Sequence, residues 1–537
     1  MKSVRKNRLI IFLLVTAAVI VLANTPLAMP AKATADALSA VVRTAPPAPI
    51  IDEKDRLAEL GQRRARVSQA IGANAMLILF SAEPRVYTND VDYQFRQENN
   101  LYYLTNLKQK GATLVLIPGN RQVPEILFLP RRNPAAETWT GHMYSPEEAR
   151  QISGVKEVWE AGEFQPFLQA VRMRQPYRPK PDKLLLSATV EQAGTASDFE
   201  SLFAAAGKNE ALIYLLVPAE PDSREYKQEQ RFAAEWAKLA SGYSVRNAGP
   251  IFSEMRLRKS DLELRLLQHA IDITTEAQER AWITAGSAKW EYEVDAQVAY
   301  TYKLRNADHW GYPSIVGCGP NATTLHYEES QGPVTPGSLL LMDVGAEYEH
   351  YTADVTRTFP VNGKFSPAQA EIYRIVYDAQ EAGARTIRPG AYVSDVHRAA
   401  TEVIKDGLLK LGLITDKNSE QYRMWFMHGT SHWLGMNVHD VGNYGTKLEP
   451  GMVFTLEPGI YIRPDALDYP PFGSSKEDWD KLKNTVLPAF EKFKGIGVRI
   501  EDDMLVTRDG TRWLTEALPR EMSAIESFIA RGRAARL

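Results

Sequence analysis

The stretch LLLMDVGAEYEHYTADVTRTF, residues 339–359, decides the reading of this chain. Two apolar, β-prone runs flank a short polar centre, the pattern of an antiparallel hairpin. With the turn centred between Tyr348 and Glu349, Asp343 and Asp354 stand directly opposite one another on one face of the ladder. Side chains so placed have Cβ atoms about 4.5–5.5 Å apart, and like charges at that distance are destabilising. A divalent cation between the two carboxylates is the economical remedy. Tyr-Glu lacks the Gly or Asn expected of a two-residue turn. A longer loop keeps the parity and the same facing.

Other acidic and basic groups fall in similar settings. HGTSHWLGMNVHD, residues 428–440, holds three of the nine histidines: His428, His432 and His439. Such crowding fits a metal site or an acid–base relay, with a pH-sensitive loop as the plainer reading. In TLEPGIYI, Glu457 closes an apolar run just ahead of Pro458 and Gly459. In GVRIEDDMLVT, strand alternation puts Val498, Ile500 and Asp502 on one face and Arg499, Glu501 and Asp503 on the other. A glutamate in a mostly apolar strand is rarely buried without a partner.

Length and composition set the frame. A chain of 537 residues is expected to make two or three domains. Hydrophobic residues at 44% and charged residues at 24% are ordinary for a globular protein. A net charge of −3 and a pI near 6.4 give no basic footprint for nucleic acid. The single cysteine, Cys318, excludes intramolecular disulfides and reads as an unreactive, partly buried thiol.

The first 35 residues stand apart. MKSVRKNR carries four positive charges, an uncharged apolar run follows over residues 9–23, and small residues then offer Ala31-Lys32-Ala33 and Ala33-Thr34-Ala35 as cleavage sites. That order describes a signal peptide over residues 1–35 and an exported protein, periplasmic or secreted. The apolar run is short for a spanning helix, which needs about 20 residues; an uncleaved N-terminal anchor is the alternative, and no other segment is expected to touch a membrane.

Residues 36–51 form a Pro/Ala-rich linker. Residues 52–248 alternate helical and strand signals, with AMLILFSA, ATLVLIPG and PEILFLP as short strands. From 249 to 523 long helices dominate, including one capped by the Ser260–Glu263 box and one begun by Ser366 and Pro367. Residues 524–537 are a tail. The fold class expected is therefore mixed α/β (α+β) in two domains.

Taken in order, Asp343, Asp354, His432, Glu457 and Glu501 resemble the M24 metallopeptidases, and within them the aminopeptidase P group. DVGAEYEHYTADVTRTFP, HGTSHWLGMNVHDVG, LEPGIYI, GVRIEDDMLVT and SIVGCGPNATTLHY carry the likeness, as do FRQENNLYYLTNL and AETWTGH in the first domain. The resemblance implies an N-terminal creatinase/aminopeptidase P-type α/β domain followed by a pita-bread catalytic domain. It implies a metal-dependent aminopeptidase acting on peptides with proline at the second position. Asp343 would bind one metal bidentately, Asp354 and Glu501 would bridge two, and His432 with Glu457 would complete the other. His326 and His439 would contact substrate and help proton transfer, and His428 and Arg499 would support the ligands. A homo-oligomer, dimer or tetramer, is implied as well, with Trp139 of a neighbouring subunit helping to close the site.

The chemistry suits this set. Four carboxylates nearly neutralise two divalent cations, which makes that charge tolerable inside a protein. Oxygen-rich ligands with one imidazole favour Mn²⁺, with Co²⁺ or Zn²⁺ as alternatives. Two cations about 3.5–4 Å apart share a water and lower its pKa toward neutrality, giving a hydroxide able to attack the scissile carbonyl. Proline after the scissile bond has no N–H, so peptidases that read that group fail there. Rival readings are a prolidase with the same ligands and a non-catalytic peptide-binding protein on the same fold. The segment 463–494, between Glu457 and Glu501, is long for the group and is either a surface insertion or a border of the active-site mouth.

Overall fold

The computed structural model describes residues 41–186, 196–218, 223, 225–470 and 475–535. The expected signal peptide lies outside the described residues. Among the described residues no helix is long and apolar enough to cross a membrane.

The N-terminal part is a seven-stranded mixed sheet. Its strand order is Leu184–Leu186, Val158–Glu160, Glu125–Leu129, Thr113–Leu116, Ala75–Phe80, Ala211–Leu215 and Tyr243–Asn247. The three runs read as strands from their apolar content are its central members, and Ala75–Phe80 is buried throughout. Helices cover the sheet, Glu53–Ile71 being capped by the Asp52 carboxylate on the Lys54 and Asp55 amides. Phe80, Phe128, Trp159, Phe164 and Phe167 fill one face as edge-on and tilted pairs.

The rest of the chain is a helical frame around short antiparallel ribbons. The helix Asp261–Ala285 opens with the expected Ser260–Glu263 capping box, and Pro367–Ala384 opens with Ser366 as cap and Pro367 in the first turn. Each sends a buried glutamine to one ribbon. Gln278 Nε2 donates to the Met342 and Val355 carbonyls at 3.2 and 2.8 Å. Gln380 Nε2 donates to the Leu456 and Ile500 carbonyls at 3.0 and 3.1 Å. These amides satisfy carbonyls that the ladders leave free where the acidic residues emerge, so each helix fixes one half of the site.

The register of the deciding stretch differs from expectation. Asp343 pairs with Thr356 rather than Asp354, and Tyr348 pairs with Tyr351. The turn is Glu349–His350, both at positive φ (45° and 69°), one residue beyond the expected centre. Buried contacts stabilise this strained pair: His350 stacks on Tyr102 at 3.9 Å between ring centroids, and Arg56 donates to Glu349. The slip of two keeps the parity, so Asp343 and Asp354 still share a face, diagonally placed.

Residues 41–51 run across the helix Asp261–Ala285. Val42 and Ala45 are buried, and the amides of Arg43 and Ala45 donate to Glu279 and Glu276 at 2.5 and 2.8 Å. The long segment after Glu457 carries the helix Lys476–Phe493. It packs on the outside of the frame, with Lys492 on Glu371 at 2.8 Å and Phe490 against buried Trp425.

Arg357 is fully buried and pairs with Asp502 at 2.6 Å. Its other donors reach the carbonyls of Thr356, Glu501, Leu518 and Pro519. Removing one member of a buried pair strands the other charge. Arg357→Met is therefore expected to lower the stability of this half by about 3–5 kcal/mol, read by chemical denaturation.

Candidate metal centre

The strand Leu339–Val344 delivers Asp343, and Asp354 stands at the entry of the strand Val355–Pro360. Glu457 follows Val453–Leu456, and Glu501 precedes Asp502–Val506. Backbone bonds stitch these pieces together. The Glu501 amide donates to the Thr356 carbonyl at 3.1 Å, the Thr455 amide to the His432 carbonyl at 3.0 Å, and the Glu457 amide to the Thr430 carbonyl at 2.9 Å. Residues far apart in sequence thus meet because neighbouring ribbons share one edge.

His432 Nε2 lies 3.2 Å from Asp354 Oδ2, 3.5 Å from Glu457 Oε1 and 4.0 Å from Glu501 Oε1. Its Nδ1 faces the Trp433 carbonyl at 3.2 Å, which fixes the ring with Nε2 turned toward the acids. Ligand atoms of Asp354, His432 and Glu501 all lie within 4.8 Å of one another. Tyr312 donates its hydroxyl to Asp343 Oδ1 and stands 2.5 Å from Asp354 Oδ1, tying the two aspartates. Arg499 donates through Nη2 to Asp343 Oδ2 and through Nε to Thr356 Oγ1 at 3.0 Å. Thr356 in turn donates to Glu501 Oε2 at 2.5 Å.

Electrostatics match a cation site. Burial, then Asp343 nearby, raises the Asp354 carboxyl; burial, then Asp354 and Glu457, hold Glu501 well above the usual range. Burial pushes Glu457 up to about 7, although His432 and Arg499 pull the other way. Burial depresses His432, but Asp354 and Glu457 outweigh it and the imidazole stands at about 9. Four acids crowd around one guanidinium and one imidazole, and a divalent cation would relieve that repulsion. A ligating imidazole is neutral, so cation binding displaces the His432 proton. The donor set, oxygen-rich with one Nε2 aimed inward, fits such an ion.

The remaining predicted residues divide into two groups. His428 donates from Nδ1 to the Gly429 carbonyl at 2.7 Å and accepts the Tyr461 hydroxyl at Nε2 at 2.9 Å. Tyr461 also accepts from Arg499 Nη1 at 3.0 Å. Burial, then Arg499, brings His428 down to about 3, which keeps it neutral for this role. His439 packs edge-on to His432 with 4.4 Å between ring centroids; it and His326 stand exposed at the opening. Burial, then the neighbouring His432 and His326, lowers His439. Cys318 is buried away from the cluster, and burial pushes its thiol up to about 11.

Sequence reasoning missed Tyr312, Thr356 and Tyr461, which hold the acids and the arginine in place. Thr356 is the cross-strand partner of Asp343, so the true turn would have exposed it. Tyr312 and Tyr461 carry no local signal.

Comparisons with known proteins agree with this geometry. The model of metallopeptidase family M24 matches residues 265–508, and that of the aminopeptidase P N-terminal domain matches residues 60–177. The Xaa-Pro aminopeptidase of Haemophilus influenzae is 35% identical over 481 residues, covering 88% of this chain and 97% of its own. The chain belongs to metallopeptidase family M24. The Xaa-Pro aminopeptidase of Escherichia coli K12 is 32% identical over 485 residues, covering 88% of this chain and 98% of its own. An aminopeptidase P structure from Pseudomonas aeruginosa superimposes with a TM-score of 0.72 at 29% identity, covering 90% of this chain and 99% of its own. E. coli aminopeptidase P with the inhibitor Pro-Leu gives 0.71 at 29% identity, covering 90% and 100%. This M24 protein is a metal-dependent aminopeptidase of the aminopeptidase P type, with the α/β two-domain pita-bread fold.

Tyr312→Phe leaves the two aspartates without their shared donor. The variant is expected to fold and to hold divalent metal about 10–100-fold more weakly, measured by competition with a chelating dye.

Proposed function

We propose that this aminopeptidase releases the first residue of peptides that carry proline at position two, using two divalent cations, Mn²⁺ by ligand chemistry. The observation that supports it is the convergence of Asp354, Glu457 and Glu501 on His432 Nε2, with Asp343 tied to the same group through Tyr312. Relatives 32–35% identical over 88% of this chain are named Xaa-Pro aminopeptidases.

Asp343, Asp354, His432, Glu457 and Glu501 hold the cations. When bound, these supply Lewis acidity and an activated water. A free substrate α-amino group seated beside the ligand carboxylates would restrict cleavage to the first residue. Arg499 fixes Asp343 and, through Thr356, Glu501, so the ligands keep one geometry through the reaction. His428 braces Arg499 through Tyr461. His439 and His326, at the opening, contact the substrate; His439, its pKa lowered by burial, donates toward the developing oxyanion. No group here needs an N–H on the second residue, so proline is admitted.

Trp139 is 89% exposed on the short helix Pro134–Thr140, a large apolar side chain that self-association would cover. It supports a homo-oligomer, dimer or tetramer. The N-terminal sequence, basic then apolar then small residues, supports export to the periplasm or the exterior by a signal peptide, with an uncleaved N-terminal anchor as the alternative.

Incubation of the metal-loaded protein with Xaa-Pro-Xaa tripeptides, Xaa-Pro dipeptides and Xaa-Ala-Xaa tripeptides tests the reading. Release of the first residue from Xaa-Pro-Xaa, abolished by EDTA and restored by Mn²⁺, is expected. Cleavage of dipeptides alone would move the assignment to a prolidase, and binding without cleavage to a peptide-binding protein.

A further inference from the structure

The loop that carries His439 has little structure of its own. Residues 433–440 close on themselves through the Asp440 amide on the Trp433 carbonyl (2.8 Å) and the Gly435 amide on the Asn437 carbonyl (3.2 Å). His439 at its end is exposed, yet its neighbour Asp440 is buried. An exposed side chain on such a loop keeps one position only if something pins the residue beside it.

Asp440 is pinned twice. Arg256 Nη2 lies 2.5 Å from Oδ1 and Lys259 Nζ lies 3.5 Å from Oδ2, and all three side chains are at most 2% exposed. Arg256 ends the helix Gly249–Leu257, which enters directly from the last strand of the N-terminal sheet, and its Nη1 donates to Asn100 at 2.9 Å. Gly435 makes the room: a Cβ there would stand 2.2 Å from Asp440 Oδ2 and 2.9 Å from Lys259 Cε. The middle of the loop is held from the same side. Asn99 Nδ2 donates to Asn437 Oδ1 at 2.7 Å, and Arg96 Nη2 to the Met436 carbonyl at 2.8 Å. Asn99 Oδ1 faces His350 Nδ1 at 3.0 Å, and Arg96 pairs with Glu347 at 2.9 Å, so the grip also reaches the turn of the hairpin that bears Asp343 and Asp354.

We infer that Asp440, clamped by Arg256 and Lys259, and Asn437, clamped by Asn99, are positioning residues that set His439 over the reacting centre, so that the N-terminal domain shapes the active site of its own chain. The inference rests on the proposed role of His439 in the reaction. Arg256, which also faces Glu98, and Lys259, which also faces Glu263, hold Asp440 from two sides, and that grip restrains the direction of the loop that presents His439 at the opening. Displacing a catalytic group by about 1 Å costs on the order of 100-fold in rate.

A double-mutant cycle separates positioning from mere support of the fold. Asp440→Asn and Asn437→Ala are each made alone and combined with His439→Ala; kcat, KM, bound metal and thermal unfolding are measured on the full chain with an Xaa-Pro-Xaa tripeptide. Each single variant is expected to lose about 10–100-fold in kcat, with bound metal unchanged. On the His439→Ala background the same changes are expected to cost less than about 2-fold, since the residue they act through is gone. Asn437 is partly exposed, so Asn437→Ala keeps the test open should Asp440→Asn fail to fold. Wild-type kcat in Asn437→Ala, or losses of equal size with and without His439, overturns the positioning role and leaves the function reading intact. Wild-type kcat in His439→Ala overturns both the role assigned to His439 and the inference built on it.

Discussion

The constraint on which this structure depends is a concentration of negative charge in a buried place. Asp343, Asp354, Glu457 and Glu501 are brought within a few ångströms of one another inside a body whose interior is apolar. At an effective dielectric of about 20, two unit charges 4 Å apart repel by about 4 kcal/mol. Several such pairs would together outweigh the whole net stability of a domain, about 5–15 kcal/mol. The fold answers that repulsion with local partners: Arg499 on Asp343, Tyr312 across the two aspartates, Thr356 on Glu501, and His432 facing Asp354. Behind them Arg357 neutralises Asp502, so the reverse face of the same strand adds no further unpaired charge.

This explains why the frame around the centre is rigid and largely polar where it touches the ribbons. Gln278 and Gln380 spend their amide donors on ribbon carbonyls, one from each long helix. Apolar replacements would pack as well but would orphan those carbonyls. The N-terminal domain adds a second fixation through Arg96 and Asn99, and through Asn100, which accepts from Arg256. The two domains meet beside the site through these bonds, and the last sheet strand leads through the helix Gly249–Leu257 directly to Lys259.

Much of this was legible in the residues. Strand alternation correctly separated Arg499, Glu501 and Asp503, which face the cluster, from Asp502, which turns to Arg357. Parity alone placed Asp343 and Asp354 on one face, even though the turn was misplaced by one residue. The misplacement has a physical reason: Glu349 and His350 adopt positive φ only because Tyr102, Asn99 and Arg56, from more than 240 positions away, stabilise them. No local rule announces such a turn. Tyr312 and Tyr461 were invisible for the same reason, since their function comes from where the fold carries a hydroxyl. The expected linker was read from its prolines, while its docking on Glu276 and Glu279 needed the long helix to be in place.

The central claim is that this cluster exists to hold two cations that share a site. Titration of the metal-free protein with Mn²⁺, followed by electron paramagnetic resonance, addresses it without reference to turnover. The account predicts two ions per chain and a signal from a magnetically coupled pair, with coupling lost in Glu501→Gln. A single ion per chain, or two that remain uncoupled, would contradict it.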